Sequence, residues 1–189
     1  MDNVYLELLN DLKNQPNGSV DYNRWLCIIC PFLSPAEIDG DNYAYEHTKL
    51  DILPDGWRKL AEECALKVQC ALEEYSREHD EFDTDDYKLY RVGERDGRLV
   101  WEDNNTKLPE ELFYIIYDIK LYYILLSPMI CLVCGKPATH VLLDSISNEP
   151  TFGVCEECLY KFEDFMQIEK LDESCDVKYP WTKGYEVYL

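Results

Sequence analysis

Apolar positions recur along this chain with a helical period in some stretches and a period of two in others. Val4, Leu8, Leu9 and Leu12 fall on one side of a helix, and the Pro16-Asn17-Gly18 cluster ends it. A second short helix is expected from about Val20 to Ile29, stopped by Pro31, and Ser34 to Asn42 reads as loop. The clearest amphipathic run follows Pro54. There Trp57, Leu60, Ala61, Cys64, Val68, Ala71, Leu72 and Tyr75 form one stripe, while Lys59, Glu62, Glu63, Lys67 and Glu73 fall mostly on the other side. Cys64 lies on the stripe and is expected to be a small buried hydrophobe.

Alternation at Tyr87–Val92 and Arg98–Glu102 predicts two strands, with residues 93–97 as the turn of a β-hairpin. Pro109-Glu110-Glu111 then opens another helix, because proline and acids suit a first turn. Leu112, Phe113, Ile115, Ile116, Ile119, Tyr122, Tyr123, Leu125 and Leu126 make that helix apolar nearly all round. It should be buried on most faces and form the centre of the main domain. The stretch is short for a bilayer span and carries Asp118 and Lys120, so no membrane crossing is expected.

Four cysteines change this picture. Cys131 and Cys134, then Cys155 and Cys158, give two C-x2-C pairs, a spacing that lets both sulfurs of a pair reach one ion. Gly135 suits the tight knuckle after the first pair. Two β-like runs lie between the pairs, and LYKFEDFMQIEKL after the second reads as an amphipathic helix with Leu159, Phe162, Phe165, Met166 and Leu171 as its apolar positions. Knuckle, hairpin and helix together predict a treble-clef zinc module. Four thiolates close the coordination sphere, so the zinc is expected to be structural rather than catalytic. His140 reads as a packing or edge residue of the hairpin. Cys27 and Cys30 form a weaker third pair, read as buried core cysteines with metal binding as the alternative. Nine cysteines, an odd number, fit reduced thiols plus metal better than a disulfide framework.

The charge is lopsided, with 38 acidic residues against 18 basic ones and a net charge of −20. Such a field repels nucleic-acid phosphates and anionic membranes and attracts basic partners. Residues 73–86, EEYSREHDEFDTDD, concentrate the acids: Glu73, Glu74, Glu78, Asp80, Glu81, Asp83, Asp85 and Asp86. This run is expected to be a solvated loop after a frayed helix end, with His79 at the surface; the glycine and alternating acids of a calcium loop are missing. The opening residues MDNVYLELLNDLKNQ have no basic and apolar leader pattern, so a cytoplasmic protein is expected.

Three fragments in order, HTKLDILPDGWRKLAEE at 47–63, YRVGERDGRLVWE at 90–102 and SPMICLVCGKPATH at 127–140, precede the last C-x2-C. Together they resemble a family of small bacterial and phage proteins with a PDGW helix start, a (K/R)-x-x-G-x-L hairpin and a CxxCG…CxxC zinc module. The matching positions are Pro54, Asp55, Gly56, Trp57, Glu94, Arg95, Gly97, Leu99, Trp101, Ser127, the four cysteines, Gly135 and Pro137. The chain departs from the pattern at Gly93 and Val100, where the family carries basic residues. The resemblance covers about residues 47–160 and implies a fold and a mobile-element setting, not a reaction.

The expected architecture is α+β, helices packed with a β-hairpin and followed by a treble-clef-like zinc module with four cysteine ligands. Its expected divisions are an N-terminal helical segment at 1–45, a main domain at 46–127, the zinc module at 128–171 and an aromatic tail at 172–189. No G-x-S-x-G, Walker loop or H-E-x-x-H signature is present, and His47, His79 and His140 do not form a catalytic pattern, so no enzyme is expected. The leading expectation is an acidic binding protein that inhibits a basic, nucleic-acid-handling target (a nuclease, toxin or defence effector) through the eight acids of 73–86. A nucleic-acid-associated zinc-finger regulator and an accessory phage protein are the alternatives. Few basic residues in the finger disfavour direct nucleic-acid binding.

Overall fold

The computed structural model describes residues 14, 16, 19–35, 47–164 and 166–171. The helix expected at Val4–Leu12, the end of the Ser34–Asn42 loop and the tail at 172–189 lie outside them. The architecture is α+β, with α-helices, two small antiparallel sheets and a cysteine cluster. Chain contacts divide it into two units. One holds Met1–Leu53, Glu62–Gly93 and Trp101–Lys120; the other holds Pro54–Ala61, Glu94–Val100 and Leu121–Leu189.

In the first unit, α1 spans Val20–Ile29, and the Ser19 side chain caps it by accepting from the Tyr22 amide. Pro31 ends it and opens a 3₁₀ turn, Pro31–Leu33. Helix α2 runs Asp55–Glu78, with residues up to Ala61 belonging to the second unit and those from Glu62 to the first. Its stripe is buried as the periodicity predicts, with Cys64, Val68 and Leu72 fully enclosed. Glu62 departs from the expected polar side: it is buried, and its carboxylate accepts from the Tyr22 hydroxyl at 3.0 Å. Lys49 donates to the carbonyls of Phe32 at 2.8 Å and Leu89 at 2.7 Å. Burial lowers its pKa from the ordinary lysine value.

Burial pushes the Cys64 thiol up to about 12. Below pH 9 the thiol is protonated in folded and unfolded chains alike, so stability is independent of it. Between pH 9 and about 12 only the unfolded chain releases the proton, so stability falls as pH rises through that window. Urea melts of wild type and Cys64→Ala between pH 8 and 11 should converge as the pH rises. A constant gap between the two would refute this.

The hairpin pairs β1, Leu89–Arg95, with β2, Arg98–Asp103. Strand β1 starts at Leu89 rather than at Tyr87, residues 93–95 belong to it rather than to the turn, and β2 reaches Asp103. The turn is only Asp96-Gly97, both at positive φ (52° and 74°), which matches the twist of a two-residue primed turn.

Helix α3 spans Glu110–Leu126. It buries Leu112, Ile116, Lys120 and Tyr123 on one side, yet leaves Tyr114, Ile115, Tyr117 and Tyr122 exposed. The expectation of burial on most faces is therefore corrected: its tyrosines accept solvent on one edge, as amphipathic rings can. With the 3₁₀ turn Ser127–Met129 added, Glu110–Met129 is 20 residues of mean hydropathy 1.3, long and apolar enough by length and composition to cross a membrane. Lys120, a charge that counts against a bilayer span, is itself enclosed. Its ammonium contacts both oxygens of Asp103 at 2.8 Å. Asp103 also accepts from the Tyr87 hydroxyl at 2.6 Å, and the Trp101 indole donates to that hydroxyl at 2.9 Å. Burial, then the Asp103 charge, raises the Tyr87 pKa well above its ordinary value.

The second unit contains a three-stranded sheet in the order β4-β3-β5, from Pro150–Val154, His140–Leu143 and Gln167–Lys170. Val141 faces Gly153 on one side and Glu169 on the other. The helix expected at 159–171 is not formed. A 3₁₀ helix, Glu156–Lys161, is followed by a turn and then by β5, which takes the open edge of β3. Pairing with a free strand edge satisfies backbone groups that a short helix end would leave open. In the same unit the buried Ser127 hydroxyl accepts from the Leu99 amide at 2.9 Å and donates to the Ile124 carbonyl.

Candidate metal centre

The first cysteine pair sits in a tight turn. The Gly135 amide donates to the Cys131 carbonyl at 2.9 Å, and the Cys131 amide to the Lys136 carbonyl at 2.7 Å. Gly135 holds φ at 77°, the left-handed conformation this closure needs. The second pair is set by the end of β4 and the start of the 3₁₀ helix, where the Cys158 amide donates to the Cys155 carbonyl at 3.0 Å. Bonds between β3 and β4, and the Leu132 amide on the Gly153 carbonyl at 3.0 Å, bring the two turns together.

The sulfurs of Cys131, Cys134, Cys155 and Cys158 consequently all lie within 4.8 Å of one another, with Cys134 and Cys155 at 3.5 Å. Four thiolates at about 2.3 Å around one tetrahedral ion are about 3.8 Å apart, so this donor set fits a metal such as zinc. Cys131, Cys155 and Cys158 are buried, and Cys134 is at the surface. Leu142 and Val154 complete the core around them, with Leu132, Phe152, Leu159 and Ile168 packed outside. Electrostatics favour a bound cation. Burial alone would raise Cys131, but backbone amides of Cys155, Cys134 and Val133 donate to its sulfur and bring it to about 7. Burial pushes Cys158 up to about 12 and also raises Cys155; the thiols of Cys134 and Cys131 raise both further. Four sulfurs this close repel as thiolates unless a cation sits among them.

Sequence reasoning missed a supporting residue. Gly56 lies directly against the first knuckle, with its amide on the Leu132 carbonyl at 3.0 Å, and the Trp57 indole donates to the Ile130 carbonyl at 3.3 Å. A Cβ on Gly56 would overlap the Cys131 carbonyl oxygen and stand 2.7 Å from the Gly135 nitrogen. The glycine in the PDGW motif is the signal that could have found this. Gly56→Ala should cost about 1–3 kcal/mol of stability through backbone displacement. It should also weaken metal binding in competition with a chromogenic chelator. Unchanged affinity and melting temperature would refute the contact's importance.

His140 is buried on β3 with its Nδ1 at 2.9 Å from the Thr139 hydroxyl, and it is not among the four-sulfur group. Cys27 and Cys30 are buried, and among the described residues they join no group drawn close enough to hold an ion. Burial raises the Cys30 thiol.

The acidic run differs from the solvated loop expected. Helix α2 continues through Glu78, and Thr84–Asp86 is a 3₁₀ turn capped by the Asp83 carboxylate on the Asp85 amide. Phe82 is buried, edge-on to Tyr75 at 5.3 Å, and its carbonyl accepts from the Ser76 hydroxyl at 3.1 Å. His79 is half-buried and stacked on Tyr75 at 3.9 Å. This anchor orders the segment while leaving Glu73, Glu74, Glu78, Asp80, Glu81, Asp83, Asp85 and Asp86 all exposed. No family model, curated protein or solved structure matches the chain.

Proposed function

We propose that this chain is a zinc-stapled, non-enzymatic binding protein of the cytoplasm that occupies the cationic cleft of a basic, nucleic-acid-handling protein. The observation that carries the reading is the ordered acidic face at 73–86, whose eight carboxylates all reach solvent on a framework held by Phe82 and Tyr75. Carboxylates fixed along a surface imitate phosphates, and a net charge of −20 speeds encounter with a basic target. In this reading the four-cysteine centre holds zinc and has no catalytic part. Two knuckles joined by a hairpin support a treble-clef module, shortened here because a six-residue 3₁₀ helix replaces the usual helix. The resemblance to the bacterial and phage family supports a mobile-element setting, such as inhibition of a host defence effector or a toxin. A direct nucleic-acid reader is less well supported, since Lys136 is paired with Glu157 and Lys161 stands among acids.

The test is capture from host lysate on immobilised protein, repeated with the eight acids changed to their amides. Recovery of a basic nuclease or other nucleic-acid-handling protein, lost with the amide variant and displaced by DNA, is the expected result. Recovery of only neutral or acidic proteins, or capture indifferent to the amides, would overturn the reading.

A further inference from the structure

Next to the acidic run lies an open cavity of about 390 Å³ lined by Tyr75, Glu81, Phe82, Asp86, Lys107 and Leu108 among others. Its lining combines carboxylates with the aromatic Tyr75 and Phe82 and the aliphatic Leu108. Those walls are fixed before any ligand arrives. Tyr75 is braced by the stacked His79 ring and by the edge of Phe82. The Phe82 amide donates to the His79 carbonyl at 3.0 Å. Asp86 is held through its backbone, with its amide on the Asp83 carbonyl at 2.9 Å and its carbonyl accepting from the Asn104 side chain at 2.7 Å. Asn104 is itself buried, and its Oδ1 accepts from the Lys88 amide at 2.7 Å.

We infer that this cavity receives one arginine side chain of the basic partner. The inference rests on the reading above and names where the partner's anchor goes. A guanidinium is planar and weakly hydrated, so it can pack against an aromatic and aliphatic lining while its fork of donors reaches a carboxylate. Glu81 and Asp86 supply two negative charges at the cavity, and Lys107 supplies one positive charge, so an incoming cation is favoured on balance. Anchors of this kind, a charged planar group in a partly dry pocket, carry a large share of the energy in protein interfaces.

The experiment uses the full-length, metal-loaded protein and N-acetyl-arginine amide, followed by NMR through the ring signals of Tyr75 and Phe82. Saturable shifts of those signals are expected, with N-acetyl-citrulline amide, a neutral isostere, binding about fivefold or more weakly. Glu81→Gln with Asp86→Asn should weaken the arginine probe to a similar extent, and Lys107→Gln should tighten it by about twofold. Equal binding of the two probes, or shifts confined to other parts of the surface, would overturn the assignment. Should a basic partner be captured with an affinity indifferent to Glu81→Gln and Asp86→Asn, the cavity falls and the acidic-face reading stands. Should the arginine probe bind here while no basic partner is captured, the cavity stands and that reading falls.

Discussion

Cys155→Ala is expected to abolish the cooperative melting of the β4-β3-β5 sheet, and metal chelation of the wild type should reproduce the effect. The core at the four sulfurs is small, comprising Leu142 and Val154 with Cys131, Cys155 and Cys158 and a ring of half-buried side chains. So little apolar surface does not offset the backbone entropy of three short strands. In small finger domains a structural zinc contributes roughly 10–16 kcal/mol. That equals or exceeds the roughly 5–15 kcal/mol stability of an ordinary domain. The measurement is thermal unfolding by circular dichroism, with metal content determined on the same sample. Cys70→Ala is the control, since Cys70 is exposed and outside the cluster, and should melt as the wild type does. Absence of stoichiometric metal in purified protein, or an unchanged melt for Cys155→Ala, would remove the metal centre from the account.

Asp103→Ala is expected to cost about 3–5 kcal/mol, because it strands the Lys120 ammonium without a partner in the interior. The Lys120 and Asp103 side chains are 8% and 2% exposed, so water cannot replace the lost contact. The loss spreads, since the Tyr87 hydroxyl also gives up its 2.6 Å acceptor. Lys120→Met alone should be destabilising for the mirror reason, because the buried carboxylate loses its only cation among these contacts. The double variant Asp103→Ala with Lys120→Met should recover much of the stability, because neither charge is then left buried alone. Urea titration of the four proteins measures the coupling. Additive losses in the double variant would show that the pair is not a unit.

The parts of this fold legible in the sequence are those whose signal is local. Helix α1, the long stripe of α2 and the four cysteines rest on periodicity or spacing within a few residues, and each is found where that pattern places it. Asp96-Gly97 shows the limit of a composition argument, because two glycines near the turn suggest a longer loop than the two-residue primed turn that the chain adopts. Elsewhere the deciding partner is far away in sequence. LYKFEDFMQIEKL has helical periodicity, but the free edge of β3 claims its end as a strand. Helix α3 is apolar on nearly every face, so the pattern cannot say which face is covered, and the structure leaves Tyr114 and Tyr117 outside. Lys120 has the local pattern of a surface charge because Asp103 lies 17 positions away. The acidic run reads as solvated because eight carboxylates outweigh one phenylalanine in any window. Phe82 nevertheless orders it.

The way Gly56 and Trp57 rest on the turn of Cys131 has a consequence for how the molecule is made. The Trp57 bond to Ile130 spans 73 positions, so it forms only once the chain through Ile130 has been synthesised. Cys158, the last of the four clustered thiols, emerges later still. The nascent chain therefore carries Gly56 and the first cysteine pair before the second pair exists, so the four-sulfur group closes late in folding rather than seeding it.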